Sequence, residues 1–208
     1  MEIDPSHLIR TAADLENLYG PALERSVRKQ LDRLDGYCRA FIAASPMVIV
    51  GTQLGIAADA SPRGDVPGFV KVPDDHTLLI PDRRGNNRVD TLKNLVGNPA
   101  IGLLFLIPGI NETFRVNGEA VLSQDPALTA QFIMQGKTPR TVIVVNVKEA
   151  YIHCSRALVR SDLWNPEKFA KPGSVPSMGT VMAAHTCGFV DAQAFDEEAK
   201  TRVPVTLY

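Results

Sequence analysis

Residues 58–122 constrain the fold most, because they hold a series of short apolar segments separated by segments that favour turns. The apolar segments have the length of strands and are rich in Val, Ile, Leu and Phe, whereas the segments between them are rich in Pro, Gly, Asn and Arg. Short strands joined by hairpins favour a closed antiparallel barrel over a parallel sheet. The sequence therefore predicts a mainly β (α+β) fold, an antiparallel β-barrel with peripheral helices.

The strand pattern continues on both sides of this region. The predicted strands are 47–52, 55–59, 68–72, 77–81, 100–107, 113–122, 141–147 and 150–154. The first two and the next two pair as hairpins, and Ser61-Pro-Arg-Gly64 is interpreted as a turn. Segment 100–107 is the most apolar and is expected inside the sheet, whereas Gly118 is expected to interrupt its strand.

Helices are predicted outside the barrel and between its strands. The predicted helices are 12–19, which begins with the capping box Thr11-Ala-Ala-Asp14, a long amphipathic helix 21–44, and 88–96, 125–135 and 191–202. Four Pro and Gly residues between 165 and 179 indicate an extended segment. We expect one domain over residues 1–208, with N-terminal helices in 1–45, the barrel in 46–160, and an extended tail with a C-terminal helix in 161–208.

Composition excludes several classes of function. The 208 residues carry a formal net charge of -1, and no run of five or six like charges indicates a nucleic-acid binder. The longest apolar run, 101–107, is far too short to span a bilayer, and no secretory signal is recognisable at the N-terminus. The three cysteines are widely spaced and odd in number, which fits reduced thiols. We therefore expect a cytoplasmic protein with no nucleic-acid or membrane partner.

Three basic residues lie in or beside the predicted turns, namely Arg63, Lys71 and Arg88. A charged residue in a turn is normally solvated and without function, but these three flank consecutive strands that should pair. Their side chains can therefore converge, and Asn86 and Asn87 add amide donors beside the start of a predicted helix. This grouping predicts a phosphate-binding site.

Several familiar motifs are absent. Gly136-Lys-Thr138 lacks the earlier glycine of a P-loop, and there is no Gly-x-Ser-x-Gly nucleophile elbow or Gly-x-Gly-x-x-Gly dinucleotide fingerprint. His153-Cys154 and His185-Thr-Cys187 could supply zinc ligands, but neighbouring residues on a strand point to opposite faces. We therefore assign no metal site, and His153 is interpreted as a polar contact in a pocket.

Two further residues allow two interpretations each. Arg115 is either a strand residue facing solvent or a contact to a ligand or a second subunit, and the sequence favours neither. Trp164 is the only tryptophan and is more often a packing residue, although an aromatic side chain before an extended tail could also cover a flat ring.

The segments around these residues resemble those of the pyridoxamine 5'-phosphate oxidase-like flavoproteins, in particular a subgroup known only as FMN-dependent enzymes. The resemblance covers about residues 20–165. The matching segments are Ser61-Pro-Arg-Gly-Asp65, Gly68-Phe-Val-Lys-Val72, Ile80-Pro-Asp82, Gly85-Asn-Asn-Arg88, Leu103-Leu-Phe-Leu-Ile-Pro-Gly109, Phe114-Arg-Val-Asn-Gly118 and His153-Cys-Ser-Arg-Ala-Leu-Val-Arg-Ser-Asp-Leu-Trp164.

The resemblance implies a split antiparallel β-barrel that forms a homodimer, with FMN in clefts at the subunit interface. By position, Arg63 and Lys71 would hold the FMN phosphate together with Asn86, Asn87 and Arg88. Ile80, Pro81 and Asp82 would pass beside the flavin, and Arg115, His153, Arg160 and Trp164 would reach it from the partner subunit. The Arg-to-Lys spacing departs from the family pattern, and the C-terminal Arg-x-His element that grips the vitamin B6 substrate is missing, so the B6 reaction itself is not implied.

The resulting hypothesis is an FMN-dependent oxidoreductase in which flavin N5 accepts a hydride from a small substrate or NAD(P)H. No catalytic side chain is assigned from the sequence. The alternatives are a non-catalytic flavin- or haem-binding module, because one fold hosts many functions, and a protein that binds the deazaflavin F420.

Overall fold

The structure is a computed structural model that describes residues 1–208. Its centre is one antiparallel sheet of seven strands in the order β2-β1-β5-β6-β7-β4-β3. The strands are β1 (Met47–Leu54), β2 (Ala57–Gly64), β3 (Lys71–Asp74), β4 (Thr77–Pro81), β5 (Ala100–Leu106), β6 (Thr113–Ser123) and β7 (Val142–His153). The helices are α1 (Ala12–Tyr19), α2 (Glu24–Arg28), α3 (Gly36–Ala44), α4 (Asp90–Gly97), α5 (Pro126–Thr129), α6 (Arg156–Ser161), α7 (Met178–His185) and α8 (Ala192–Val205).

The sheet is strongly curved. The guanidinium of Arg63 at the end of β2 lies 3.7 Å from the carboxylate of Asp82, which directly follows β4. These two strands lie near opposite ends of the strand order, so the contact requires the sheet to roll up on itself. The predicted mainly β fold, a split antiparallel barrel with peripheral helices, is confirmed.

Both predicted hairpins, β1-β2 and β3-β4, are present. The predicted turn at residues 61–64 is wrong, because these residues continue β2 and Pro62 pairs with Ile49 of β1. A proline is tolerated there because β2 is an edge strand, where an N–H is not needed on the open side. Segments 141–147 and 150–154, predicted as two strands, form the single strand β7, and Gly118 marks a register shift between β6 and β7.

The predicted helix 21–44 is wrong, because it is two helices separated by the irregular segment 29–35. The backbone of Leu31 exchanges two hydrogen bonds with Ala150 of β7, with N–O distances of 2.9 and 2.8 Å. Asp35 then caps α3 by accepting a hydrogen bond from the N–H of Cys38 at 2.9 Å. This break allows Leu34, which is fully buried, to enter the core.

Other helices differ less from the prediction. The helix predicted for 125–135 ends at Thr129 and continues as a 3-10 turn over 130–132. The segment 165–179 is mostly irregular, as expected, but it leads into α7, which was not predicted. The capping box that starts α1 is confirmed, and α8 fits the predicted terminal helix. None of the helices combines the length and the apolar content that crossing a membrane requires.

The core lies on the concave side of the sheet, against α3 and α4. It contains Val48, Phe105 and Phe114, which pair across three neighbouring strands and therefore point to the same face. Arg63 pairs with Val48 and points to this side as well. Arg115 follows Phe114 and therefore points to the opposite side, because side chains alternate along a strand. We call this opposite side the outer face, and it carries Ile49, Gly51, Gly102, Leu104, Arg115, Asn117, Glu149 and Tyr151.

Candidate functional site

A large groove opens where the rolled sheet meets the C-terminal residues. It has a volume of about 1420 Å³ and is lined by four segments of the chain. These are the end of β2, residues 81–91 between β4 and the start of α4, the loop before β7 (136–140), and residues 202–208, and Phe69 adds a single side chain. The groove therefore brings together positions that are up to 149 residues apart in the sequence, Asp59 and Tyr208.

Positive charge predominates in the groove. Its basic side chains are Arg63, Arg83, Arg84, Arg88, Lys137, Arg140 and Arg202, and its acidic side chains are Asp59, Asp82 and Asp90. A concave wall with this excess of cations concentrates the field and attracts an anionic ligand. This excess is local, because the whole chain carries a formal net charge of only -1.

Arg63 is held in the groove wall with part of its guanidinium unpaired. One terminal nitrogen donates to the carbonyl of Pro62 at 3.1 Å, and the other lies 3.7 Å from Asp82. The Nε of Arg63 is buried and has no hydrogen-bond partner. Burial raises the pKa of Asp82, although Arg63 acts in the opposite direction. A buried donor without a partner is costly, so a ligand that accepts from Nε would remove that cost.

The loop 86–89 presents backbone groups to the same groove. Asn87 and Val89 have φ values of 61° and 52°, in the left-handed region that a β-branched residue such as Val89 rarely adopts. No side chain caps the start of α4 after Val89, so its first N–H groups are available to an anion. Arg88 is 76% exposed and pairs with Asp90 at 2.8 Å. The loop therefore offers both a cation and backbone donors.

Arg83, which lines the groove, contacts three other segments of the chain. It donates to Asp65 at 2.7 Å and to the carbonyl of Phe132 at 2.6 Å, and its guanidinium lies 5.2 Å from the ring centre of Tyr208. The hydroxyl of Tyr208 donates to the same Asp65 at 2.7 Å, and this bond raises the pKa of Tyr208. Lys137 donates to the carbonyl of Tyr208 at 2.9 Å. These contacts attach the C-terminal residues to the barrel.

The structure brings together only part of the predicted site. Of the predicted residues, Arg63, Pro81, Asp82, Asn86, Asn87 and Arg88 line the groove. Lys71 is not among the residues that line the groove. Its ammonium lies 5.1 Å from the ring centre of Phe132, whose carbonyl accepts the hydrogen bond from Arg83. Ile80 is fully buried in the core, so its side chain takes no part in the groove wall.

The predicted partner-subunit residues lie away from the groove of their own chain. Arg115 lies on the outer face of β6, and His153 is the last residue of β7. Arg160 is exposed on α6, and the indole N–H of Trp164 donates to the carbonyl of Ile110 at 2.9 Å. None of the four lines the groove. No three His, Cys, Asp or Glu side chains lie together in the way that a metal ion requires.

Sequence reasoning missed several groove residues. Lys137 and Thr138 were set aside because they do not complete a P-loop, yet their loop forms one wall. The pair Arg83-Arg84 in a Pro-Asp-Arg-Arg-Gly segment was a signal that could have been used. The contributions of Arg202 and Tyr208 could not be found from local sequence, because only the packing of the C-terminal segment places them there.

The sequence profile that describes pyridoxamine 5'-phosphate oxidase matches residues 34–154, which is more than half of the chain. The chain belongs to the pyridoxamine 5'-phosphate oxidase family. The matched region runs from just before α3 to just after β7 and therefore contains the whole sheet. Residues 202–208, which close the groove, lie outside it.

Solved structures resemble the chain only distantly. HupZ of Group A Streptococcus has 15% sequence identity and a TM-score of 0.48, over 57% of this chain and 92% of that chain. General Stress Protein 26 of Bacillus anthracis has 16% identity and a TM-score of 0.42, over 54% and 88%. The FAD binding protein of Mycobacterium smegmatis has 15% identity and a TM-score of 0.39, over 58% and 95%. No curated protein matches the sequence.

Proposed function

We propose that the groove binds FMN and that the protein is an FMN-dependent oxidoreductase. The observation that carries the proposal is the buried, unpartnered Nε of Arg63 in the wall of a strongly basic groove. A phosphate monoester is a good acceptor for this donor, because a guanidinium binds phosphate oxygens through charge-assisted hydrogen bonds. Membership of a family named for a flavin-linked oxidation supports the same ligand.

The residues of the groove fit the phosphate of FMN. Arg63 would donate from inside the wall, Arg88 would approach from the exposed side, and Asn86, Asn87 and the start of α4 would add amide and backbone donors. Bound FMN would accept a hydride at N5 from a small substrate or NAD(P)H and pass the electrons to an acceptor. The chain itself binds and orients the cofactor, and we assign no general base.

The same proposal includes a homodimer in which the outer face meets its equivalent in a second copy. Gly51 of β1 lies opposite Gly102 of β5, and Ile49 lies opposite Leu104, so the middle of this face is apolar and carries little side-chain bulk. In the family arrangement, Arg115, His153, Arg160 and Trp164 of one copy would reach the flavin held by the other. This arrangement would explain why the four residues lie away from their own groove.

The first test is a visible absorption spectrum of the purified protein before and after addition of FMN, followed by anaerobic titration with NADH and NADPH. Flavin bands that bleach with one of the nicotinamides are expected. A flavin that binds but is not reduced by any donor would favour the non-catalytic binding module. A protein that takes up no FMN would contradict the cofactor assignment.

A substitution tests the role of Arg63. Arg63→Gln is expected to weaken FMN binding by about 1.5 to 3 kcal/mol, the value of a hydrogen bond to a charged group, or roughly tenfold to a hundredfold in Kd. The measurement is fluorescence quenching of FMN during titration with protein. Arg33→Gln is the matched control, because Arg33 pairs only with exposed Asp32 and does not line the groove. Equal FMN affinity in both variants would remove Arg63 from the site.

A further inference from the structure

A second group of basic residues surrounds Tyr151, near the β6-β7 end of the outer face. The ammonium of Lys29 lies 5.4 Å from the centre of the Tyr151 ring, and the guanidinium carbon of Arg115 lies 5.7 Å from it. His153 stacks beside the same ring, with 6.1 Å between ring centres and 28° between planes. Three side chains with nitrogen donors therefore lie around the ring of Tyr151.

The two cations of this group have no acidic partner. Neither Lys29 nor Arg115 lies within 4 Å of a carboxylate. Glu149 lies on the same face two residues before Tyr151, but it accepts a hydrogen bond from Asn117 at 2.8 Å. Both cations are half-buried. Half-buried charges that lack a counter-ion favour the binding of an anion from outside the chain.

Enough donors remain free to hold an anion. Lys29 uses one donor on the carbonyl of Ile152 at 2.7 Å, and Arg115 uses one on the hydroxyl of Tyr151 at 3.1 Å. An ammonium has three N–H donors and a guanidinium has five, so most of the donors on both groups are unused. These fixed contacts also orient the two groups before a ligand arrives, which lowers the entropic cost of binding.

We propose that Lys29, Arg115 and His153 form a binding site for a small oxyanion, the phosphate or carboxylate group of a ligand, with Tyr151 as its floor. None of the four residues lines the groove of its own chain. The proposal rests on the proposed homodimer for the identity of its ligand, because Arg115 and His153 would there approach the flavin held by the partner. Phosphate binding to this group and FMN binding in the groove are tested by different variants, so one can fail without the other. The proposal adds Lys29 to the predicted ligand-binding residues Arg115 and His153, and no sequence motif indicates Lys29.

The protonation of His153 is compatible with binding an oxyanion, and its pKa can be measured to detect binding. Burial, Arg115 and Lys29 all lower the pKa of His153, so its imidazole is neutral at pH 7 and can donate from one nitrogen only. The charged groups that act on it are Arg115 of β6 and Lys29 after α2. A bound oxyanion would oppose both of them and raise the pKa of His153.

The test is titration of the purified protein with inorganic phosphate, followed by NMR of the histidine rings, with sodium chloride at matched ionic strength as the reference. The His153 resonances are expected to shift saturably and its pKa to rise. His7, His76 and His185 are internal controls that should not respond. The absence of a saturable shift at His153 would overturn the proposal.

Variants identify the residues that hold the anion. Arg115→Gln and Lys29→Gln should each raise the Kd for phosphate about tenfold, because each removes one charge-assisted hydrogen bond. Lys29 lies just after α2, so its variant remains informative if Arg115→Gln does not fold. Lys148→Gln is the matched control on β7, because Lys148 is exposed and pairs with Glu119. Unchanged phosphate affinity in both test variants would overturn the assignment.

A dimer contact gives a different result. If the pKa of His153 rises with protein concentration and does not respond to phosphate, the anion is a carboxylate of a second copy, and the proposal is overturned.

Discussion

Arg83 and Arg84 are neighbours in the sequence but differ in their surroundings. The side chain of Arg83 is 15% exposed and its partner Asp65 is 1% exposed, whereas Arg84 is exposed and makes no ion pair. A buried carboxylate that loses its cationic partner keeps the full cost of its desolvation. Arg83 therefore stabilises the fold at the edge of the groove, and Arg84 is available to a ligand.

Arg83→Ala is expected to lower the free energy of unfolding by roughly 2 to 4 kcal/mol. The value lies at the lower end for a broken buried pair because Asp65 keeps its hydrogen bonds from Tyr208 and from the N–H of Val66. Denaturant unfolding at pH 7 measures the change. Arg84→Ala is the control and should unfold like the unmodified protein. Equal stability of the two variants would show that the Asp65 pair is not structural.

Among single residues, the sequence predicted those whose role depends on local chemistry. Arg63, Asn86, Asn87 and Arg88 were predicted to lie together and all line the groove, although Arg63 reaches it from strand β2 and not from a turn. The contact of Lys71 with Phe132 was not predicted, because it depends on the register of β3 in the packed sheet. Charge and turn propensity are local properties, whereas the direction in which a side chain points across the barrel is not.

At the scale of elements, the break between α2 and α3 shows tertiary structure overriding helical periodicity. The apolar spacing of residues 21–44 continues through the break, yet Leu31 pairs with β7 and Asp35 starts a new helix. Asp35 is a favourable N-cap and Gly36 is a poor residue for a helix interior, so a local signal for the break was present. The pairing with β7 is a long-range contact that periodicity cannot indicate.

Asp35→Ala is expected to destabilise the protein by about 1 kcal/mol at pH 7, because it removes the cap of α3. Hydrogen bonds from Cys38 lower the pKa of Asp35 below its ordinary value of 3.8. A lowered folded-state pKa means that this stabilisation is present above pH 3.8 and is lost as the pH falls through the folded-state value. The difference between the two proteins should therefore shrink toward pH 3.

Denaturant unfolding of both proteins between pH 3 and pH 7 measures this difference. Asp32→Ala is the control, since Asp32 pairs only with exposed Arg33 and caps no helix. A cost for Asp35→Ala that stays constant across the whole range would contradict the capping role.

At the scale of the whole molecule, the sheet separates two groups of basic residues. The groove lies where the rolled edges of the sheet meet, and the Tyr151 group lies on the outer face, on the side opposite to the core. Between them, Ile49, Gly51, Gly102 and Leu104 form a surface with little polar character. In the proposed homodimer this surface would be covered, and the basic residues of one copy would approach the groove of the other.

Leu104→Glu is expected to convert the proposed dimer into monomers, because burying its carboxylate in the middle of the interface would cost more desolvation energy than Arg115, which lies opposite on β6, would offset. Light scattering after gel filtration measures the molar mass, and FMN titration of the same sample should show weaker binding. Val121→Glu is the control, because Val121 is an exposed strand residue of β6 that lies beyond the register shift at Gly118. A dimer that persists in Leu104→Glu would contradict the role of this face.

The sequence by itself determined the positions of most strands, both hairpins, the helices α1, α4 and α8, and the basic turn that contains Asn86, Asn87 and Arg88. Each of these follows from alternation of side chains, turn propensity or capping, which act over a few residues. The tertiary structure decided which cations face the groove, brought Arg202 and Tyr208 into its wall, and grouped Lys29 with Arg115 around Tyr151. These arrangements depend on how a curved sheet brings distant segments together. Such long-range contacts produce no repeating pattern of residues, so they cannot be predicted from the sequence alone.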